Sequence, residues 1–334
     1  MTKTISKKEL ASWLDGLMKD RNLIAPALAD QQTVFKPVAS VDEIAFDFKN
    51  TALSPKEWFF PTTEPLFTIY QKDGVTELQP IDIEKESVVF GIRPCDAAGM
   101  KLLDKVFLAP PADAMYAERR EKTTLIGLAC SEAAPQCFCT SMGSSPGNAG
   151  DVDIMLAEVG EGYTVEAVTE KGNALISNLK LSDSNESAPE VKCHTELQVK
   201  DVSKAMQTRF EDDYWSRVAD RCVHCNICAY VCPVCHCFDI RDYPTSEKTE
   251  RIRCWDSCQS PGFTRAAGGH TPRPTKASRL RQRFYHKLLY FPELFGDYQC
   301  TGCGRCVALC PVNIDIREII TDIQKPGVKS GTKA

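Results

Sequence analysis

Two cysteine runs with identical spacing constrain this chain more than any other feature. They occupy residues 222–233 and 300–311, and both read C-x2-C-x2-C-x3-C-P. In bacterial ferredoxins with this run, three thiolates bind one 4Fe–4S cluster and the fourth binds the cluster of the other run. The rule predicts two ligand sets, which are Cys222, Cys225, Cys228 and Cys310 for one cluster and Cys300, Cys303, Cys306 and Cys232 for the other.

Two other kinds of metal site share part of this spacing. A single run would also fit zinc, because paired C-x2-C elements bind zinc tetrahedrally. The segment Cys228-x3-Cys232-x2-Cys235 matches the three-cysteine spacing of radical-enzyme clusters. Two complete runs, each ending in Cys-Pro, favour a pair of 4Fe–4S clusters over both alternatives.

The rest of the composition agrees with a metal-binding protein. The chain has 334 residues and 17 cysteines, far more than a cytosolic protein needs, and disulfides are rare in reducing compartments. The N-terminus lacks an apolar signal core, and no apolar run is long enough to span a membrane. We therefore expect a cytoplasmic protein of an anaerobic setting, without a membrane span. The net charge of −5 disfavours nucleic acid as a partner.

A third group of cysteines follows the strands of a predicted α/β unit. Residues 87–92 and 124–129 read as buried strands, and residues 97–108 between them read as a helix. Parallel sheets place their sites beyond the carboxyl ends of the strands. That edge would collect Cys95, Cys130, Cys137 and Cys139. The group predicts a third 4Fe–4S cluster, with a zinc site or simple buried thiols as the alternatives.

The predicted fold class is α+β. An N-terminal α/β domain, residues 1–190, opens with a helix capped by Ser6 and Glu9 in a capping box. Residues 191–334 form a helical domain of the bacterial dicluster-ferredoxin type, with a long insertion at 233–299 between its two cysteine motifs. A polar linker, residues 181–196, joins the domains, and we interpret its Cys193 as incidental because no other thiol is near it in sequence.

The insertion carries more cysteines and a basic stretch. We interpret Cys235, Cys237, Cys254 and Cys258 as buried thiols, with a further metal site as the alternative. Residues 257–292 are rich in Arg and Lys and contain no acidic side chain. Basic side chains near a cluster raise its reduction potential, and the same charges could steer an acidic partner or a phosphate-bearing cofactor. We predict a cofactor-binding role for Arg279, Arg281 and Arg283.

Longer motifs make the chain similar to a family of iron–sulfur subunits. This family includes the beta subunits of sulfhydrogenases, the corresponding iron–sulfur subunits of anaerobic sulfite reductases and the ferredoxin-like subunits of flavin oxidoreductases coupled to heterodisulfide reductase. The matching motifs cover nearly the whole chain and are Arg93-Pro-Cys95-Asp96, the group Cys130, Cys137 and Cys139, Cys235-x-Cys237-Phe-Asp, Trp255-Asp-Ser-Cys258, residues 263–273, Arg281-Gln-Arg283 and the second ferredoxin run.

The resemblance implies a non-catalytic electron-transfer subunit of an anaerobic oxidoreductase complex. Such a protein relays single electrons between a catalytic subunit of the sulfite reductase, hydrogenase or heterodisulfide reductase type and a flavin/NAD(P)H-binding subunit. The alternative is an enzyme subunit with its own flavin- or metal-based active site, either in the α/β domain or in the cysteine group of residues 235–258. The absence of a recognised nucleotide fingerprint argues against this alternative.

Overall fold

The computed structural model describes residues 2–72, 74–81, 85–246 and 248–325. Its strands, in chain order, are β1 (Thr2–Ser6), β2 (Asn22–Ala29), β3 (Gln32–Pro37), β4 (Thr63–Lys72), β5 (Val75–Pro80), β6 (Ser87–Ile92), β7 (Thr123–Leu128), β8 (Ile154–Val159), β9 (Gly162–Ala167), β10 (Ser182–Ser184), β11 (Phe238–Pro244) and β12 (Lys248–Trp255).

The α-helices alternate with these strands in the first half of the chain and dominate the second half. They are α1 (Lys7–Leu17), α2 (Pro94–Phe107), α3 (Ala114–Lys122), α4 (Glu170–Ile176), α5 (Val202–Gln207), α6 (Tyr214–Arg221), α7 (Ile227–Tyr230), α8 (Lys276–Tyr285), α9 (Phe291–Phe295), α10 (Arg305–Ala308) and α11 (Ile316–Ile323). The chain therefore mixes helices and sheets, as the predicted α+β class requires. No helix in the described ranges is long and apolar enough to cross a membrane.

Contacts divide the chain into two compact units. The first unit comprises residues 1–59, 83–196 and 301–304, and the second comprises residues 60–82, 197–300 and 305–334. Residues 60–82 precede the predicted boundary at residue 190, yet they group with the second unit because β4 pairs with β12. The division of the chain at residue 190 stays a prediction, and residues 326–334 of its second domain lie outside the described part.

The first unit is built on a mixed sheet with strand order β10-β1-β9-β8-β7-β6-β2-β3. Its parallel centre contains β6 and β7, which are joined by the predicted helix α2 and by α3, which the sequence analysis does not predict. Strands β8 and β9 form an antiparallel hairpin. Helix α1 begins after Ser6, whose capping box with Glu9 is confirmed. Its Leu10 and Leu14 pack into the core that also contains Val88.

Helix α2 begins earlier than its sequence pattern predicts. The sequence predicts a helix over residues 97–108, but the helix starts at Pro94, with Arg93 as the one residue between it and β6. Proline is favoured at the first helical position because it has no N–H to satisfy and its φ already suits the helix. Cys95 consequently lies in the first turn of α2.

The second unit combines a small sheet with a group of helices. The insertion contributes the hairpin of β11 and β12, and the sheet order is β11-β12-β4-β5. A buried ion pair between Arg253 and Glu64 links β12 to β4. Helices α6 and α8 pack through Trp215 and Phe284, whose rings are stacked with centroids 6.2 Å apart.

Candidate metal centres

The cysteines of the first predicted ligand set line one cavity of the second unit. Cys222 follows α6 directly, Cys228 lies on α7, and Cys310 comes two residues after α10. The sulfur-bearing residues that line this cavity are Cys222, Cys225, Cys228, Cys306 and Cys310. The structure therefore brings Cys310 of the second run into one cavity with three cysteines of the first run. Cys306, which the ferredoxin rule assigns to the other cluster, lines the same cavity, and the division into two ligand sets stays a prediction.

The two runs share an uncommon backbone conformation. His224 and Asn226 flank the second cysteine of the first run and have φ values of 53° and 64°. Gly302 and Gly304 occupy the same places in the second run, with φ values of 67° and 76°. Positive φ is uncommon for residues other than glycine. The repeated conformation at matching positions indicates that both runs wind their backbone around their sulfurs in the same way.

Hydrogen-bond donors point at the sulfurs of the first-run cavity. The side-chain amide of Gln259 donates to Cys228 Sγ at 2.9 Å, and the backbone N–H of Ile314 donates to Cys310 Sγ at 3.2 Å. Gln259 is 1% exposed, and its carbonyl accepts a bond of 3.0 Å from Arg279 Nε. Donors of this kind stabilise negative charge on sulfur and raise cluster potentials. Gln259 could not be identified from the sequence, because its spacing from the cysteines follows no motif.

Two buried cations lie among these cysteines. Arg283 donates to Cys235 Sγ at 3.4 Å and to the Cys228 carbonyl at 2.7 Å. Lys287 donates to Cys232 Sγ at 3.2 Å and to the Gln299 carbonyl at 3.0 Å, and it is 2% exposed. Burial acts to lower the pKa of Lys287, but the Cys232 and Cys235 sulfurs outweigh burial and leave its pKa raised. Both cations therefore favour thiolate over thiol.

Lys287 owes its position to an irregular turn. Helix α8 continues into one π-helical turn, His286–Tyr290, before α9 begins. Such π-helical turns are rare in proteins overall, but those that occur are often found at functional sites. The extra residue changes the direction of the side chains that follow it. In the sequence, Lys287 is one member of the basic stretch, and no pattern there distinguishes it from the others.

Cysteines of the second predicted ligand set lie around the same cations. The electrostatic neighbours of Lys287 include Cys232 and Cys300, and those of Arg283 include Cys306. The fourth member, Cys303, belongs to the segment Thr301–Gly304 of the first unit. The set as a whole stays a prediction.

The three arginines predicted to bind a cofactor have different surroundings. Arg279 donates to the carbonyls of Gln259, Arg273 and Pro274. The guanidinium of Arg281 lies 3.5 Å from the centre of the Phe210 ring. Arg283 donates to sulfur, as described above. The common cofactor role of these arginines stays a prediction.

Three of the four additional cysteines of the insertion are hydrogen-bonded to another cysteine, and the fourth is Cys254 on β12. The thiols of Cys237 and Cys258 are hydrogen-bonded, and this bond lowers the pKa of Cys237 and raises that of Cys258. The thiol of Cys235 is hydrogen-bonded to Cys232. Cys254 lies apart from these pairs on β12, where it faces Asp239 across the hairpin.

The third predicted group also meets at one cavity, in the first unit. Cys95 lies in the first turn of α2, and Cys130 comes two residues after the end of β7. These residues line one cavity together with Cys137, Cys139, Gly302 and Cys303. Buried Arg93 supports this edge by donating to the carbonyls of Leu128, at 3.0 Å, and Ala129, at 2.8 Å. The cavity therefore lies at the carboxyl ends of β6 and β7, where the sequence predicts it.

Part of the second run packs directly against this third group. The carbonyl of Gly302 accepts a bond of 2.8 Å from the Phe138 N–H, and the Cys137 thiol lies 3.7 Å from the Cys303 carbonyl. A Cβ atom added to Gly302 would lie 2.6 Å from the Cys139 Cα. Gly302 is therefore required by this close backbone approach as well as by its positive φ.

We expect Gly302→Ala to lower the apparent Tm of the anaerobically purified protein by roughly 5 °C more than Gly296→Ala does. Gly296 is the matched control, because its φ is +80° but a Cβ atom there would meet nothing within 4 Å. Both variants carry the cost of positive φ, whereas Gly302→Ala alone adds a clash with rigid backbone. Equal Tm values for the two variants would contradict the close packing at Gly302.

One cysteine lies where no sequence pattern predicts it. The Cys193 sulfur is 3.5 Å from the Cys139 sulfur, although the two residues are 54 positions apart in the chain. The interpretation of Cys193 as incidental stays a prediction, although the folded chain gives its sulfur a thiol neighbour that the sequence does not indicate. Only the packing of the chain brings these two residues together.

The donor chemistry of these sites fits iron–sulfur clusters. In the described part of the chain, no three His, Cys, Asp or Glu side chains converge as closely as a single metal ion requires. The cavities present several cysteine sulfurs together with N–H donors and buried cations. Soft thiolates select zinc, copper(I) or iron–sulfur clusters, and N–H bonds to sulfur are the usual means of tuning clusters.

Comparisons with known proteins agree with this chemistry. A family described as a 4Fe-4S dicluster domain matches residues 221–314. The chain is 33% identical over 304 residues to the sulfhydrogenase 2 subunit beta of Pyrococcus furiosus, an alignment that covers 87% of this chain and 89% of that protein. No solved structure matches the chain. The chain therefore belongs to the family of iron–sulfur subunits that includes the sulfhydrogenase beta subunit.

Proposed function

We propose that this protein is the electron-transfer subunit of an anaerobic, heteromeric oxidoreductase and has no substrate chemistry of its own. The observation that carries the proposal is the first-run cavity, which is lined by five predicted cluster ligands, the hydrogen-bond donor Gln259 and the buried Arg283. The P. furiosus relative is named as a sulfhydrogenase subunit. By analogy, the partners of this chain are a catalytic subunit of the sulfite reductase, hydrogenase or heterodisulfide reductase type and a flavin/NAD(P)H-binding subunit.

The cofactors we propose are three 4Fe–4S clusters, of which two are bound by the ferredoxin runs and the third by cysteines of the N-terminal group. Support for the third comes from the cavity shared by Cys95, Cys130, Cys137 and Cys139. When bound, each cluster supplies one-electron redox chemistry by alternating between two oxidation states. The 3.7 Å approach of the Cys137 thiol to the Cys303 carbonyl supports a short path between the third cluster and a ferredoxin-type cluster. Short separations of this kind suit electron transfer through the chain.

The side chains around the cavities favour negative charge on the cysteine sulfurs. Gln259 and the backbone N–H groups stabilise negative sulfur, and Lys287 and Arg283 place positive charge where water has no access. A buried cation without compensation costs several kcal/mol, by order of magnitude, so these two residues require anionic neighbours. Thiolates bound to iron supply that negative charge at the positions where the cations lie.

The first-run cavity is also the point where we expect a partner to exchange electrons. Cys225 is exposed, and the neighbouring Val223 is 59% exposed. A proposed cluster ligand at the surface shortens the distance to a redox centre of a docked protein. The finer architecture, an α/β domain of residues 1–190 followed by a dicluster domain in a cytoplasmic protein, belongs to the same proposal.

The deciding experiment is the determination of iron and acid-labile sulfide in protein purified without oxygen, combined with EPR of the reduced sample. We expect about twelve irons per chain, which corresponds to three 4Fe–4S clusters. About eight irons would confine the redox centres to residues 222–310. The isolated chain should also contain no flavin and should not reduce an artificial dye with NADH. Bound flavin or NADH-dependent dye reduction would favour an enzyme with its own active site.

A further inference from the structure

The cavity of the N-terminal cysteine group contains a buried charged side chain, that of Arg93. This residue lines the cavity together with the four cysteines of the group, and it is 3% exposed. The other charged residues that line the cavity are Lys49 and Glu132, which are exposed and form an ion pair with each other. The positive charge of Arg93 is therefore enclosed beside the thiols, whereas the charges of the other two residues are at the surface.

The guanidinium of Arg93 is fixed in place, but one of its donors is not used. Its two Nη groups donate to the carbonyl of Phe48 and to those of Leu128, at 3.0 Å, and Ala129, at 2.8 Å. The ring of Phe48 covers it, with 3.9 Å between Cζ and the ring centre. The Nε–H is buried and has no hydrogen-bond partner in the part of the chain that the structure describes. A buried donor without an acceptor is costly, and more so when the group is charged.

Other buried arginines of this chain do not leave Nε without an acceptor. The Nε of Arg209 donates to the Asp212 carboxylate at 2.8 Å. The Nε of Arg253 donates to the Glu64 carboxylate at 2.7 Å. Arg209 is the better parallel to Arg93, because its Nη1 also donates to three backbone carbonyls. Anchoring of a guanidinium on carbonyls is therefore compatible with a bonded Nε, and Arg93 differs in lacking an anion at that position.

The carboxylates nearest to Arg93 do not supply this anion. Burial lowers the pKa of Arg93, and the groups whose negative charge opposes this effect are, in decreasing order, Cys130, Cys95, Asp96 and Asp47. Neither carboxylate accepts a hydrogen bond from Nε. The cavity beside Arg93 is lined by cysteine sulfurs, so an acceptor bound there would be anionic sulfur.

We propose that Arg93 is the cationic hydrogen-bond donor of the N-terminal centre, and that its Nε–H binds an anionic sulfur of the iron–sulfur group held by the four cysteines. This inference rests on the proposed third cluster. A hydrogen bond from a cation to sulfur favours the reduced form, which carries one more negative charge, and so raises the reduction potential. Arg93 is then a residue that tunes this cluster as well as one that ties β7 to residue 48.

The first test is a redox titration, followed by EPR, of Arg93→Lys in the complete chain purified without oxygen. Lysine keeps the positive charge but has no Nε–H between two anchored Nη groups. At the potential where the N-terminal cluster of the parent is half reduced, we expect the ratio of reduced to oxidised cluster to be about tenfold lower in the variant. The signal of this cluster is the one that Cys139→Ser lacks.

Arg209→Lys is the matched control for Arg93→Lys. It also removes guanidinium bonds to three carbonyls, but Arg209 lines neither cysteine cavity. We expect its clusters to have the same ratios as those of the parent at every potential. A ratio in Arg93→Lys equal to that of the parent, with about twelve irons in both proteins, would overturn the inference.

A second measurement uses the parent protein and does not depend on the folding of a variant. Arginine labelled with 15N at Nε is incorporated, and pulsed EPR of the reduced protein detects nitrogen nuclei close to each cluster. We expect a 15N coupling in the signal of the N-terminal cluster, since Arg93 is the arginine that lines its cavity. Absence of this coupling would overturn the inference even if Arg93→Lys did not fold.

The iron content of the parent distinguishes failure of the inference from failure of the proposed third cluster. About eight irons per chain would refute the third cluster, and the inference would fail with it. About twelve irons without a 15N coupling from arginine would refute the inference alone.

Discussion

Cys306→Ser is expected to lose about four of the irons of the parent protein while its N-terminal unit remains folded. Cys306 lies on α10 and is a predicted ligand of the second cluster, and a neutral serine hydroxyl is a poor substitute for a thiolate on iron. The core of the N-terminal sheet contains none of the ferredoxin cysteines. Iron and sulfide analysis, EPR of the reduced protein and far-UV circular dichroism measure the effect.

Cys254→Ser is the matched control for this variant. Cys254 lies in β12, outside both predicted ligand sets, and faces Asp239 in the hairpin. We expect its iron content to equal that of the parent. Retention of all iron by Cys306→Ser would contradict the ligand assignment from the ferredoxin rule.

Lys287→Met is expected to lower the reduction potential of a cluster bound through Cys232 by roughly 90 mV, the one-electron equivalent of about 2 kcal/mol. The Lys287 ammonium donates to Cys232 Sγ and is wholly enclosed, so no water replaces it when it is removed. Loss of this charge-assisted bond disfavours the reduced form, which carries one more negative charge. Redox titration followed by EPR measures the shift.

Two further variants make the Lys287 result decisive. Lys204→Met removes an exposed lysine from α5 and should leave every potential unchanged. Lys287→Arg keeps the positive charge and should recover most of the shift. If Lys287→Met had the iron content and the potentials of the parent, the role of this cation in stabilising reduced sulfur would be disproved.

Features that depend on neighbours in sequence could be predicted. The capping box that starts α1 after Ser6 and the parallel pair β6 and β7 both appear where their local patterns indicate. The start of α2 was predicted three residues too late. Pro94 precedes the expected helix of residues 97–108, but proline is also favoured in the first turn of a helix.

Features that depend on long-range packing were not predictable. Gln259 and Lys287 act on sulfurs that are 31 and 55 residues away from them in the chain. Neither residue follows a spacing rule, because a hydrogen bond to sulfur requires only a donor at the right place. The pairing of β4 with β12 joins two segments that are distant in the chain, and it groups residues 60–82 with the second unit.

The chemistry of this protein can be read from its amino-acid order, because cluster ligands separated by two or three residues are positioned by the local course of the backbone. The cysteine runs, and the α/β unit that places cysteines after its strands, are predictable on that basis. Which further groups reach those sulfurs depends on how the whole chain packs. Packing brings Gly302 against Cys139, Lys287 onto Cys232 and Cys193 beside Cys139, since contacts between distant segments arise only in the folded protein.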